Sequence, residues 1–168
     1  MDLIQLINPE HATEEEVAHY AVREAARAIV RDTEGFIALL HVTKKNYYKL
    51  PGGGLEGDED KLIALQRECE EEIGCNIDVL DEVGMTIEYR KMFQLKQISY
   101  CYYATVRGEK GTPHFVGDEI DDGFEALWLP FDKALDVMKT CEANDFEGSA
   151  YIVPRDIAFL EAAQERLN

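Results

Sequence analysis

Residues 53–75 read GGLEGDEDKLIALQRECEEEIGC, a glycine turn running into an acidic helix. Glu68, Glu71 and Glu72 stand at offsets of three and four, so the spacing predicts three carboxylates on one side of that helix. Like charges so close destabilise a helix unless a cation sits among them. Ligands that are all oxygen, with room left for water and phosphate, suit magnesium, with manganese as second choice. The stretch therefore reads as a metal site for a substrate that carries phosphate.

The helix is expected to start at Asp58 and Glu59, to run to about Ile73 and to stop at Gly74. At about 100° per residue, Leu62, Leu65, Gln66, Cys69 and Ile73 form its apolar stripe, with Glu68 and Glu72 along the edge and Glu71 beyond them. Upstream, a strand is expected over the second half of Tyr20 to Arg31, and GFIALLHVT (35–43) returns as its hairpin partner after a turn at 32–35. A polar loop leads to the short strand KLPGG (49–53). Downstream, residues 76–107 hold two alternating runs that read as paired antiparallel strands. A loop follows over 109–123, then the strand FEALWLP (124–130), a helix opened by Pro130, and a last helix over about 150–166. Residues 1–18 read as an N-terminal extension with a short helix from Thr13, where Thr13 and Glu16 form a capping-box pattern. The sum is a mixed α/β (α+β) domain over 19–168 with a curved sheet and no second domain.

Composition narrows the function classes. The 168 residues carry 17 Lys plus Arg against 34 Asp plus Glu, a net charge of −17, which repels nucleic-acid backbone. The small basic clusters at Lys44, Lys45 and Lys49 and at Arg90, Lys91 and Lys96 serve a small anionic ligand as well as a polymer. A small-molecule partner is thus favoured and nucleic acid disfavoured. The four cysteines (Cys69, Cys75, Cys101, Cys141) have no zinc spacing and read as small buried hydrophobes in a reducing compartment. The acidic N-terminus lacks a signal-peptide pattern, and no apolar run reaches bilayer length, so a cytoplasmic protein is expected.

The helix and its turn resemble the Nudix box, G-x5-E-x7-R-E-U-x-E-E-x-G-U with U aliphatic. Gly53 is followed after five residues by Glu59, and seven more lead to Arg67-Glu68, Cys69, Glu71-Glu72, Gly74 and Cys75. Every fixed residue is present. The departures are cysteines at both aliphatic positions and Asp58, where many members have glycine. YKLPGGGLE before the box and GFEALWLPFDKAL after it extend the resemblance over roughly 20–140.

That resemblance implies an α/β/α sandwich and a hydrolase. Its reaction would cleave the pyrophosphate bond of a nucleoside diphosphate linked to another group, in an oxidised nucleoside triphosphate, ADP-ribose or a sugar nucleotide. It implies Glu68 and Glu72 as metal ligands, Glu71 as a further ligand or the base that orients water, and a carbonyl of Gly52 or Gly53 completing the shell. Arg67 would pin Glu59 in a bidentate pair. Members often add one acid from a later loop, and Glu119 is preferred among those in VGDEIDDGFE (116–125). Lys49, Arg23, Arg27 and Arg90 are candidate phosphate contacts, and Tyr48 is among the aromatics able to stack on a base. Many relatives are dimers, so a homodimer is admitted. Two other readings compete: a catalytically silent nucleotide-sensing or interaction module, and an isopentenyl-diphosphate-isomerase-like enzyme. Such silent members usually lose box glutamates, and this chain has lost none. Nor has Cys101 a recognisable catalytic setting.

Overall fold

The structure is a computed structural model that describes residues 1–167. Its strands are β1 (Leu3–Ile7), β2 (Ala21–Arg31), β3 (Phe36–Val42), β4 (Tyr47–Lys49), β5 (Gly52–Gly54), β6 (Asn76–Arg90), β7 (Leu95–Arg107) and β8 (Phe124–Pro130). Its helices are α1 (Glu14–Val17), α2 (Lys61–Ile73), α3 (Asp118–Asp121), α4 (Phe131–Thr140) and α5 (Val153–Leu167), the last preceded by a π-helical turn, Gly148–Ile152. All eight strands join one mixed sheet of order β1-β6-β7-β2-β3-β4, with β5 pairing β2 and β8 pairing β3. Parallel pairings join β1 to β6 and β2 to β7; the others are antiparallel.

Alternation along β2 assigns the two faces. Ala26, Ala28 and Val30 pack with Leu65, Cys69 and Ile73 of α2, together with Cys75 and Ala104. Ile29 and Cys101 point the other way, into a second core with Ala134 and Met138 of α4 and Phe159 and Leu160 of α5. The result is an α/β/α sandwich, and three of the cysteines are buried in it.

Several details differ from the sequence expectation. Helix α2 starts at Lys61 because the Asp60 side chain caps it, accepting from Leu62 N at 2.9 Å. Glu59 stays outside, held by Arg67. The buried side of α2 is rotated toward Glu72: Ala64 and Glu72 are buried, while Leu62 is exposed. Strand β2 extends through its first half because it pairs with β7 from Ala21 onward, and its hairpin contact with β3 is confined to Arg31 and Ile37. Residues 3–7 add a strand that the short apolar run did not announce, in register with Met85 to Glu88.

Candidate active site

Glycine geometry brings the helix acids to the sheet. A Cβ on Gly52 would lie 2.1 Å from the Ala26 carbonyl oxygen, and its φ of +135° strains any L side chain. A Cβ on Gly53 would lie 2.3 Å from Glu68 Oε1, so the missing side chain is what lets that carboxylate reach the turn.

Glu68, Glu72 and Glu119 each place a carboxylate oxygen within 4.8 Å of the others. Glu72 is 1% exposed. One of its oxygens accepts from Gly52 N at 2.8 Å, and the other has no hydrogen-bond partner among the described residues, with Lys49 Nζ 3.8 Å away. Burial pushes the Glu72 carboxyl above its ordinary range, against the attraction of Lys49, and burial pushes the Lys49 amine down. Three carboxylates converging within 4.8 Å, one with an orphaned buried oxygen, make a donor set that a hard divalent cation fits.

Arg67 ties the acidic helix to the turn. Its Nε and Nη2 donate to the two oxygens of Glu59, both at 3.0 Å, and Nη1 donates to Glu68 Oε1 at 3.0 Å. Glu71 lies 3.7 Å from the same Nη1, a third exposed and outside the group of three carboxylates. Burial and the neighbouring Glu68 raise its pKa.

Glu68 and Glu119 open onto a cleft of about 240 Å³. Near the glycine turn it is lined by Arg23, Arg27 and Lys49. Arg27 donates to the Gly52 carbonyl at 2.5 Å, and neither Arg23 nor Arg27 forms a close ion pair with a carboxylate among the described residues, although Asp156, Glu72 and Glu88 act on Arg27 from further off. Desolvation and repulsion from Arg155 lower the Arg27 pKa to about 10. Arg90, Gln97 and Arg155, all buried, line the cleft further in. Tyr48 is not brought to this cleft. Neighbours in a strand face opposite ways, so with Lys49 turned to the site Tyr48 faces α4, stacked on His41 at 4.3 Å.

Sequence reading passed over Glu88, Gln97, Ser99, Arg155 and Asp156, all buried near this cleft. Their signal was polar alternation, Thr86-x-Glu88-x-Arg90 and Gln97-x-Ser99, inside strands too long and too central to be solvated on both faces.

The sequence model of the NUDIX domain matches residues 21–149. Comparison with curated proteins gives no significant match. Among solved structures, the MutT protein from Methanosarcina mazei Go1 is 18% identical with a TM-score of 0.60, over 89% of this chain and 99% of that one. A NUDIX hydrolase from Nitrosomonas europaea is 14% identical with a TM-score of 0.65, over 87% and 90%. The C. elegans Ap4A hydrolase is 14% identical with a TM-score of 0.59, over 88% and 100%. Likeness at such identities is a likeness of fold. The chain belongs to the Nudix family, on a match that spans most of its length. Its enzyme class is accordingly that of the Nudix pyrophosphohydrolases.

Proposed function

We propose that the chain is a magnesium-dependent hydrolase of the pyrophosphate bond in a nucleoside diphosphate linked to another group. Oxidised nucleoside triphosphates, ADP-ribose and sugar nucleotides are the candidate substrates, and manganese is an alternative ion. The observation that carries this reading is the trio Glu68, Glu72 and Glu119 beside two arginines that form no close ion pair among the described residues.

Glu68, Glu72 and Glu119 would hold the ion, and the Gly52 carbonyl has a second lone pair to offer beside the one engaged by Arg27. A divalent ion bound there neutralises pyrophosphate charge and lowers the pKa of a bound water. Arg23 and Arg27 hold the phosphate oxygens of the substrate, with Lys49 beside them. Glu71, raised in pKa and open to solvent, is placed to accept a proton from water. Arg67 and Glu59 are positioning residues that fix Glu68. Among the described residues no helix is long and apolar enough to cross a membrane. A cytoplasmic site of action and a homodimer complete the proposal.

The test is Glu72→Gln, assayed with magnesium over a nucleotide panel with phosphate and pyrophosphate scored separately. Turnover is expected to fall by about 10²–10³-fold or more while the cooperative thermal transition persists. Near-normal turnover overturns the reading. Nucleotide binding by the wild type with no phosphate release over the whole panel indicates a silent binding module instead.

A further inference from the structure

Glu119 reaches the carboxylate trio from a segment with little of its own to hold it. It stands on α3, a single turn with no buried residue, and its neighbours Val116 and Ile120 are exposed. Five acids crowd residues 118–125: Asp118, Glu119, Asp121, Asp122 and Glu125. Like charges three and four apart loosen a helical turn. Neither apolar burial nor local helix strength therefore fixes the Glu119 carboxylate beside Glu68 and Glu72. Polar contacts at the two ends of the segment must do so.

At the entry, the end of α2 supplies them. The Gly74 carbonyl accepts from Gly111 N at 2.7 Å, and the Glu71 carbonyl accepts from His114 N at 2.6 Å. Glu119 Oε1 then accepts from Val116 N at 3.0 Å, which folds the turn back on itself.

At the exit, the turn between β3 and β4 supplies them. Thr43 donates to the Gly123 carbonyl from its hydroxyl at 2.6 Å and from its amide at 3.3 Å. Lys44 N donates to the Asp122 carbonyl at 3.1 Å. Lys45 completes this end, with its Nζ 3.1 Å from Asp122 Oδ2 and 3.7 Å from Asp145 Oδ2. Among the described residues it is the one cation that pairs with an acid of 118–125. Asp145 in turn accepts from Gly148 N at 3.0 Å, at the start of the π-helical turn that leads to Ile152 and Arg155 on the cleft wall. One ammonium thus ties the Glu119 turn to a segment that walls the cleft. The sequence groups Lys45 with Lys44 and Lys49, yet of the three only Lys49 lines the cleft. Ion pairs as accessible as those of Lys45 add little to stability, so their effect is to be sought in position rather than in folding.

We propose that Lys45 is a positioning residue for the metal site: by holding Asp122 it keeps Glu119 where its carboxylate can share an ion with Glu68 and Glu72. The inference rests on the reading above, in which that trio holds a divalent ion. Charge alone predicts the opposite sign. An ammonium near a dication repels it, so its removal with Glu119 unmoved would tighten binding of the ion. Positioning predicts that its removal weakens binding.

The experiment titrates manganese, without substrate, into metal-free wild type, Lys45→Met, Lys45→Arg, Glu119→Gln and the Lys45→Met/Glu119→Gln double variant. Lys45→Met is expected to weaken manganese binding by about tenfold, the lower end of what partners that orient a ligand are worth. Lys45→Arg keeps a cation for both aspartates and is expected to restore most of the affinity. In the Glu119→Gln background, Lys45→Met is expected to change nothing further, because the carboxylate it positions is already gone. Amide hydrogen exchange in the metal-free protein gives a second readout. Residues 116–123 are expected to exchange faster in Lys45→Met, while 61–73 exchange as in wild type. Binding by Lys45→Met that equals or exceeds wild type overturns the proposal, as does an equal loss with and without the Glu119 carboxylate. Faster exchange over the whole chain, which marks a loss of fold rather than of position, overturns it as well. Wild type that binds no manganese overturns the reading of the trio itself, a result distinguishable from every outcome in the variants.

Discussion

The two ends of the cleft are assembled in opposite ways. At the glycine turn, Gly52, Gly53, Glu68 and Glu72 come from 21 consecutive residues, and Glu119 joins these carboxylates from a later loop while Arg23 and Arg27 reach in from β2. At the inner end, Glu88, Gln97, Glu147 and Arg155 come from two strands, a turn and a helix. The first arrangement follows from the helical repeat, which puts positions three and four apart side by side whatever the rest of the fold does. The second exists only once β6, β7 and α5 have met. The carboxylate end therefore rests on local sequence and the inner end on tertiary assembly, and that difference is open to attack.

The sharpest attack is Gly53→Ala. The new methyl would have to displace the Glu68 carboxylate, since the two cannot share 2.3 Å. A displacement of about 1 Å in a ligand-holding group costs on the order of 10²-fold in rate. If the ends are separable, the loss is the same on every substrate and their ranking is preserved. Initial rates over the nucleotide panel with magnesium check this, and a reordered ranking would sink the separation.

The same contrast explains what could be read from the sequence. The acids of the box, Arg67, Gly74 as helix stop and the strands β3, β6, β7 and β8 were legible because each depends on neighbours in the chain. Lys49, just before the glycine turn, and Arg23, Arg27 and Arg90, on strands, were legible as candidate phosphate contacts, and the structure lines the cleft with all four. Tyr48 shows the limit. One residue from Lys49, it is turned away by strand alternation, and no local pattern says which of the two faces the site. The helix start failed for a related reason. Asp58, Glu59 and Asp60 are all plausible first-turn acids, and a bond from Arg67, eight residues on, decides that Glu59 belongs to the turn. Glu88 and Gln97 were missed because a polar residue in a strand looks solvated until a helix is known to cover it, and Arg155 because a helix arginine looks solvated until the helix is known to face the sheet.

At the carboxylate end, metal binding is predicted to depend on pH without any substrate present. Burial raises the pKa of Glu72, so part of its population keeps a proton that a dication must displace. The sign follows directly: affinity for magnesium or manganese rises as pH rises and levels off above the Glu72 pKa. The rise is at most about tenfold per pH unit per proton displaced. Isothermal titration at pH 6, 7, 8 and 9, in buffers of different ionisation enthalpy, reads both the affinity and the proton release. A flat affinity with no proton released would show that Glu72 is already ionised, or that the ion binds elsewhere.

The smallest effect is expected where the helix is held but the acids are not. Asp60 caps α2 with bonds to Leu62 N and Ile63 N, and it lines neither end of the cleft. Asp60→Ala is expected to cost about 1 kcal/mol, the usual worth of such a cap. For a chain of this size that is a fall of roughly 2–4 °C in Tm. Turnover per folded molecule should hold, because the Arg67 guanidinium, about two turns along the helix, holds Glu68 and ties it to Glu59 just before the cap, and does not rely on the first turn being formed. Melting curves and initial rates on the same sample separate the two quantities. A loss of rate that outruns the loss of stability would mean that the cap, and not Arg67, sets the position of Glu68. The carboxylate end would then be less self-contained than its sequence spacing implies.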